Sequence, residues 1–340
     1  MKLTVRYKYF YLLWLLNFFV GCLMLIEEVL MRIENMTTIH KEKVSLLIIE
    51  KFKKSYDTFN MLPKKYVHVS DVSDLVTSMI DNKKAVVLID DDIIGFIDIS
   101  YEGKLFYNKL GVYTTEWGNY FPENNIKGCL LLLNYLYDYM NKHQLLDHTI
   151  SIMENEKELI ETLFNMSYGS RCMDAHTLIE NKSIKTDKII REATPSDLDS
   201  LKELVKEHHK YLQMAPTLIG MNFADEESTI LKWLNDDTVK LWVMTESSQV
   251  LGVMKTVKGE SGGCDCSYDD KTLGIETTQL LTELQGQGLG KLFVDFVHDY
   301  GSKNGFKYLA VDYETMNPTA RYFWPKHFTP TVRSLIRSIG

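Results

Sequence analysis

Six residues constrain the fold most. Gln285-Gly286-Gln287-Gly288-Leu289-Gly290 stands between a strand-like apolar run and an amphipathic stretch with helical spacing. Such a turn carries almost no side-chain bulk at the point where a helix begins. The first N–H groups of a helix have no partner within it, and the aligned peptide dipoles leave that end partly positive, so the turn is suited to cradle phosphate oxygens. Spacing excludes two other phosphate loops. A Walker loop would need glycine at Gln285 and a hydroxyl residue at Leu292. A dinucleotide fingerprint would need its third glycine one residue later than Gly290.

The flanks agree with a strand–turn–helix reading. Leu289, Leu292, Phe293, Phe296, Val297 and Tyr300 fall on one helical stripe, and Gly305 suits the left-handed C-terminal position. Residues 307–311 read as a short buried strand. Asn317-Pro318 opens another helix, with Asn as cap and Pro at the first helical position, and Phe328 enters a last strand. Upstream, residues 189–193 form a strand and Thr194-Pro195-Ser196-Asp197 starts a helix whose buried face carries Leu201, Leu204 and Val205. Residues 239–245 and 250–257 are strands joined by a polar turn, and residues 273–281 form the strand that feeds the glycine turn.

Over residues 188–340 this order resembles the GNAT superfamily of acyl-CoA-dependent N-acetyltransferases. The resemblance implies an α/β fold (mixed α+β sheet), with a mostly antiparallel central sheet flanked by helices. It implies that Gln285, Gly286, Gln287, Gly288, Leu289, Gly290 and Lys291 hold the diphosphate of acetyl-CoA. Backbone groups of Leu280, Leu281 and Thr282 would meet the pantetheine arm and the thioester carbonyl. Asn317 matches the family's asparagine that faces the CoA arm, or is a plain helix cap. The implied reaction is direct attack by a primary amine of a small molecule or peptide in a ternary complex. The alternative is a non-catalytic acyl-CoA sensor or interaction module.

Acetyl transfer to nitrogen needs a neutral amine, a polarised carbonyl and a proton for the departing thiolate. The cleft-side base is expected at Glu276, then Glu283, then Asp312 or Glu314. The family's tyrosine acid aligns with Trp324. Tyr322, two residues earlier, and Tyr313 are the tyrosines on offer, although on a helix Tyr322 faces well away from that direction. The acceptor pocket is expected from residues 211–223, including Tyr211, Met214, Met221 and Phe223, and from the loop around Cys264. His208-His209 reads as a solvated helix face, and Trp233 and Trp242 read as core.

The first half reads as a worn copy of the second. A strand pair containing Gly95, a helical stretch over residues 129–140, a strand over residues 148–153 and Met166-Ser167-Tyr168 recur about 160 positions on. Residues 36–182 and 183–340 are the expected domains, similar to tandem-GNAT proteins, with a polar linker at 181–188 between the copies. The first copy has Pro122-Glu123-Asn124-Asn125-Ile126-Lys127-Gly128 where the phosphate turn belongs. A proline donates no N–H and Glu123 would repel a diphosphate, so cofactor binding is expected only in the second copy.

A length of 340 residues suits two domains, and a formal charge of −8 argues against nucleic acid as a partner. Five cysteines make no even framework, consistent with reduced thiols in the cytoplasm. Cys264-Asp265-Cys266 lacks the histidine pair or second cysteine pair that would complete a four-ligand site, so no metal is expected, and a mobile hairpin loop is. Residues 9–26 form an apolar run that is either a membrane anchor, a signal segment or, as favoured, an over-extended reading frame with its true start at Met31 or Met36. A membrane partner is expected only if residues 1–30 are native. A homodimer is left open.

Overall fold

The computed structural model describes residues 31–105, 109–220, 225–259 and 264–339. The apolar leader lies outside them. The first half contains β1 (Arg32–Asn35), α1 (Lys41–Thr58), α2 (Val69–Asn82), β2 (Ala85–Asp90), β3 (Asp92–Asp98), β4 (Tyr101–Lys104), β5 (Leu110–Thr114), β6 (Asn119–Tyr120), α3 (Ile126–Lys142), β7 (Asp147–Met153), α4 (Lys157–Asn165) and β8 (Gly169–Leu178). The second contains β9 (Ile189–Glu192), α5 (Leu198–Gln213), α6 (Glu226–Leu234), β10 (Val239–Glu246), β11 (Gln249–Lys258), β12 (Thr272–Leu280), α7 (Leu289–Lys303), β13 (Tyr308–Glu314), α8 (Pro318–Phe323) and β14 (Thr329–Ser338). Among the described residues no helix is long and apolar enough to cross a membrane.

The strands form a four-stranded sheet, β1-β2-β3-β6, and a ten-stranded sheet, β4-β5-β7-β14-β8-β13-β12-β11-β10-β9. Only β5/β7 and β12/β13 run parallel; the other pairs are antiparallel. The two halves of the sequence are interleaved. β8, which ends the first half, pairs with β13 from Tyr308↔Leu178 to Glu314↔Cys172. β14, which ends the second, pairs with β7 from Val332↔Met153 to Ser338↔Asp147. Each half therefore sends its last strand across, and β8 and β14 lie side by side at the centre. Every residue of β7 is buried, as expected for a strand covered on both faces.

Helices cover the second-half strands on both sides. Phe293, Val294 and Val297 of α7 pack with Leu273, Ile275, Leu309 and Val311. Leu201, Leu204 and Val205 of α5 pack with Leu241, Val243 and Val253, the side chains of alternate strand positions. Trp242 belongs to the first of these cores, edge-on to Phe296 and Tyr300. Thr194 and Asp197 form a capping box at the expected helix start before α5.

One irregularity shapes the sheet's centre. Between the pairs Met254↔Thr278 and Thr256↔Ile275, Lys255 of β11 faces both Glu276 and Thr277 of β12. This two-against-one arrangement is a β-bulge, which bends the strand that carries the extra residue. Pairing of β12 with β13 stops just there, at Ile275↔Val311. Residues 276–280 and 312–314 continue on diverging paths.

Because the central strands are exchanged, cutting the chain between residues 182 and 183 should leave each half without a neighbour for its inner strand. Neither half alone should show cooperative unfolding by circular dichroism, whereas the co-expressed halves should purify as one complex. Two independently folded halves would contradict the reading.

Candidate functional site

The divergence of β12 and β13 opens a cavity of about 1020 Å³. Its walls include residues 276–280 and 312–314 from the two strands, Gly286, Gly288, Gly290 and Lys291 from the glycine turn, and His208, Tyr211 and Leu212 from α5. A turn and a strand end that are neighbours in sequence thus share one space with a helix some eighty residues upstream.

The turn has the conformation that its composition permits. Gly286 (φ +78°) and Gly288 (φ +85°) are left-handed, where a side chain would be strained, and a Cβ at either would meet nothing within 4 Å. Both face open space. Gly288 caps α7 with no side-chain acceptor. Among the described residues, no acceptor takes the N–H groups of Gly286, Gln287, Gly288, Leu289, Gly290 or Lys291, and the first helical bond is Leu292 N–H to the Gly288 carbonyl at 3.2 Å. Gly290 is needed for a different reason: a Cβ there would stand 3.2 Å from the Phe323 ring of α8. The Gln287 amide braces the turn by donating to the Glu283 carbonyl at 2.9 Å.

The edge of β12 is partly available. Leu281 N–H donates to the Leu251 carbonyl at 2.9 Å, so its peptide group is turned toward β11 rather than the gap. In an antiparallel ladder the next pair inward, Gly252↔Leu280, then has its peptide groups turned outward, as does Met254↔Thr278. Leu280 and Thr278 therefore present N–H and C=O to the space vacated by β13. The Leu280 carbonyl already accepts from the Gln279 side chain at 2.9 Å. Thr282 is exposed beyond the strand, its carbonyl bonded to Gln285 N–H at 3.3 Å. Of the three residues expected to offer backbone groups, Leu280 does so, and Leu281 and Thr282 are committed elsewhere.

The charged groups lie at the bulge. Glu276 pairs with Lys255, which is 9% exposed and has its ammonium 4.8 Å from the centre of the Trp233 ring. Asp312, on the opposite strand, is pushed up to about 6 by burial and then by the charge of Glu276; a hydrogen bond from Cys172 and the charge of Arg171 oppose the shift. Glu314 is ion-paired with Arg171. Tyr313 lines the cavity, its phenol pushed up to about 12 mainly by burial.

Two expected catalytic residues are not brought here. Glu283 is exposed in the short turn after β12, outside the cavity lining. Tyr322 is 73% exposed, whereas Ala320 and Phe323 of α8, and Trp324 just after it, line the cavity. Asn317 lines the cavity while capping α8: its Oδ1 accepts from Ala320 N–H at 3.1 Å and from the Tyr211 hydroxyl at 3.0 Å. Tyr211, Leu212, Ile219 and Trp233 form an apolar and aromatic wall. Met214 is exposed, and Met221 and Phe223 lie outside the described residues.

The structure also adds residues. His208 lines the cavity instead of a solvated face, and burial pushes its imidazole down to about 4, with His209 adding to the effect. It is neutral at neutral pH. Trp233 packs against the core of Leu201, Leu204 and Val205 and also forms a wall of the cavity. The usable signal for Lys255 was its cross-strand register with Glu276, which needs the hairpin pairing to be known. Cys264 and Cys266 are buried away from the cavity and packed with the first half's core, so the expected mobile loop is not found at these residues.

No family model and no curated protein matches the sequence. Solved structures do. A GCN5-related N-acetyltransferase from Sphaerobacter thermophilus aligns over 91% of this chain and 95% of its own at 12% identity, with a TM-score of 0.53. Another from Kribbella flavida aligns over 91% and 72% at 11% identity and a TM-score of 0.39. An aminoglycoside acetyltransferase from an uncultured soil metagenomic sample, solved with sisomicin, aligns over 41% and 86% at 18% identity and a TM-score of 0.33. The last two likenesses are too loose to carry an argument. The first shows that the chain has the fold of the GCN5-related N-acetyltransferases.

Replacing Lys255 with Met would leave Glu276 unpaired next to Asp312 in a partly closed space. The expected cost, discounted for the residual exposure of Glu276, is on the order of 2 kcal/mol by denaturant titration. The double variant Lys255→Met/Glu276→Gln should recover most of it. A neutral single variant would show that the pair is solvated.

Proposed function

We propose that the protein is an acyl-CoA-dependent N-acyltransferase that moves an acetyl group from acetyl-CoA to a primary amine. One observation carries this reading: a turn with six unpaired amides opens directly onto the gap between two diverging parallel strands. The amides at the start of α7 would hold the diphosphate, with Lys291 close by. The pantetheine arm would then lie along the freed edge of β12, taking hydrogen bonds from Leu280 and Thr278 much as a missing strand would. Laid out in this way, the thioester reaches the bulge, beside Glu276.

The acceptor would enter along the wall of Tyr211, Leu212, Ile219 and Trp233. Two carboxylates, Glu276 and Asp312, would favour a cationic amine and withdraw its proton. The neutral nitrogen attacks the thioester carbonyl carbon, a C–N bond forms, and the C–S bond breaks. The new amide nitrogen gives up its extra proton to water and the thiolate takes its proton from water, since Tyr322 points away from the cavity and the Tyr313 phenol is a weaker acid than usual. Ion pairing to Lys255 positions Glu276.

The first half would bind no cofactor. The start of α3 is already capped, with Asn125 Oδ1 accepting from Gly128 N–H at 2.9 Å, and Glu123 lies at the same place, paired with Lys54. A second reading, an acyl-CoA sensor without turnover, is favoured by the Lys255–Glu276 pair and by the position of Tyr322.

Thiol release from acetyl-CoA across an amine panel separates the two. Binding without release for any amine would favour the sensor. For the enzyme, Glu276→Gln should lower kcat about a hundredfold with acetyl-CoA affinity retained. Gly288→Val should do the reverse, losing cofactor affinity by calorimetry, because its side chain is strained at positive φ and fills the cradle. A deprotonated Asp312 is the active form, so kcat/KM should fall as pH drops through about 6. Asp312→Asn should remove that limb; an unchanged profile would exclude Asp312 from proton transfer.

A further inference from the structure

A turn within the β11–β12 connection brings two thiols together. The Sγ atoms of Cys264 and Cys266 are 3.3 Å apart, and both residues are buried. Glu116, from the first half of the chain, reaches the same point. Its Oε1 accepts from Cys266 N–H at 2.8 Å, and one of its oxygens and both sulfurs lie within 4.8 Å of one another. Asp174 of β8 is buried close by, within electrostatic reach of Cys264.

This cluster is built as a ligand set and is unsatisfied as a hydrogen-bond network. Glu116 Oε2 and Asp174 Oδ1 are buried and have no hydrogen-bond partner. A buried carboxylate oxygen left without a donor is costly, and a thiol is a weak donor. The nearby cations are engaged elsewhere. Lys51 Nζ bonds Asn119 and pairs with Glu156 at 3.2 Å, and Lys65 Nζ bonds the Asp265 carbonyl at 2.7 Å. The turn itself is held in place: Asp265 accepts from Trp117 Nε1 at 2.6 Å, and Ser267 Oγ meets His176 Nε2 at 2.6 Å.

We propose that Cys264, Cys266 and Glu116 bind one divalent cation of the zinc class. Two thiolates select a soft or borderline ion, and a carboxylate oxygen is an accepted zinc ligand. The ion would tie the second-half turn at residues 264–267 to Glu116 of the first half. It would reinforce the interleaving of the sheet. When the metal is bound, the protons carried by the buried groups are released, so affinity should decline in acid.

The test uses the full chain, kept reduced, stripped with a chelator and titrated with zinc, with metal content measured by elemental mass spectrometry. One equivalent of zinc and a raised Tm are expected, with uptake lost in Cys266→Ser and reduced in Glu116→Gln. Cobalt titration of the unaltered protein guards against misfolded variants, since tetrahedral thiolate ligation gives a sulfur-to-cobalt charge-transfer band. Fully reduced protein that takes up neither ion, or native protein isolated with a Cys264–Cys266 disulfide, would overturn the proposal.

Discussion

The extra residue in β12 governs the site. Were Glu276 and Thr277 not both set against Lys255, β12 would run on beside β13 and hydrogen-bond it to the end, and no cavity would exist. Because the strand bends there, peptide groups that a parallel neighbour would use are left facing a gap. The bend also places Glu276 and Lys255 at the mouth of the divergence and Asp312 across from them. The glycine turn adds its amides at the open end. Structure and chemistry share one cause: a ladder interrupted at the right residue.

The interleaving of β8 and β14 makes the surroundings stiff. A gap between two strands in a small sheet could close by letting one strand slide toward the other. Here β13 is held by β8 along its length, and β8 by β14, which in turn is held by β7. The C-terminal strand of each half is thus a load shared by both. A bound cation at Cys264, Cys266 and Glu116 would fasten the one long loop that bridges β11 and β12 to this frame.

Local signals in the sequence were sufficient for much of the fold. The glycine turn, the Asn317-Pro318 start, the Thr194 helix start and Gly305 at φ +78° each rest on the conformational preferences of single residues. Burial periodicity located α5, α7 and the strands around them. What was not legible depends on pairing over long distance. The 160-residue recurrence pointed to equivalent strands at residues 169 and 329, yet nothing local in either says that it crosses to the other half. Glu116 is far in sequence from Cys266, so its approach to the cysteine pair had no local signal. His208 looked solvated because its helix neighbours Lys206 and Lys210 are charged, whereas the cavity wall opposite α5 could be seen only after β12 was bent. The exposure of Tyr322 follows from the helical phase that already set it apart from Trp324 in the sequence.

The central claim is that a diphosphate sits on the amides of the glycine turn while its thioester arm lies in the gap between β12 and β13. A crystal structure with acetyl-CoA tests it most directly. The account expects the diphosphate oxygens within hydrogen-bond distance of N–H groups between Gly286 and Lys291, and the thioester carbonyl close to the bulge at Glu276. A cofactor bound at the start of α3 instead, or an arm lying outside the gap, would contradict it.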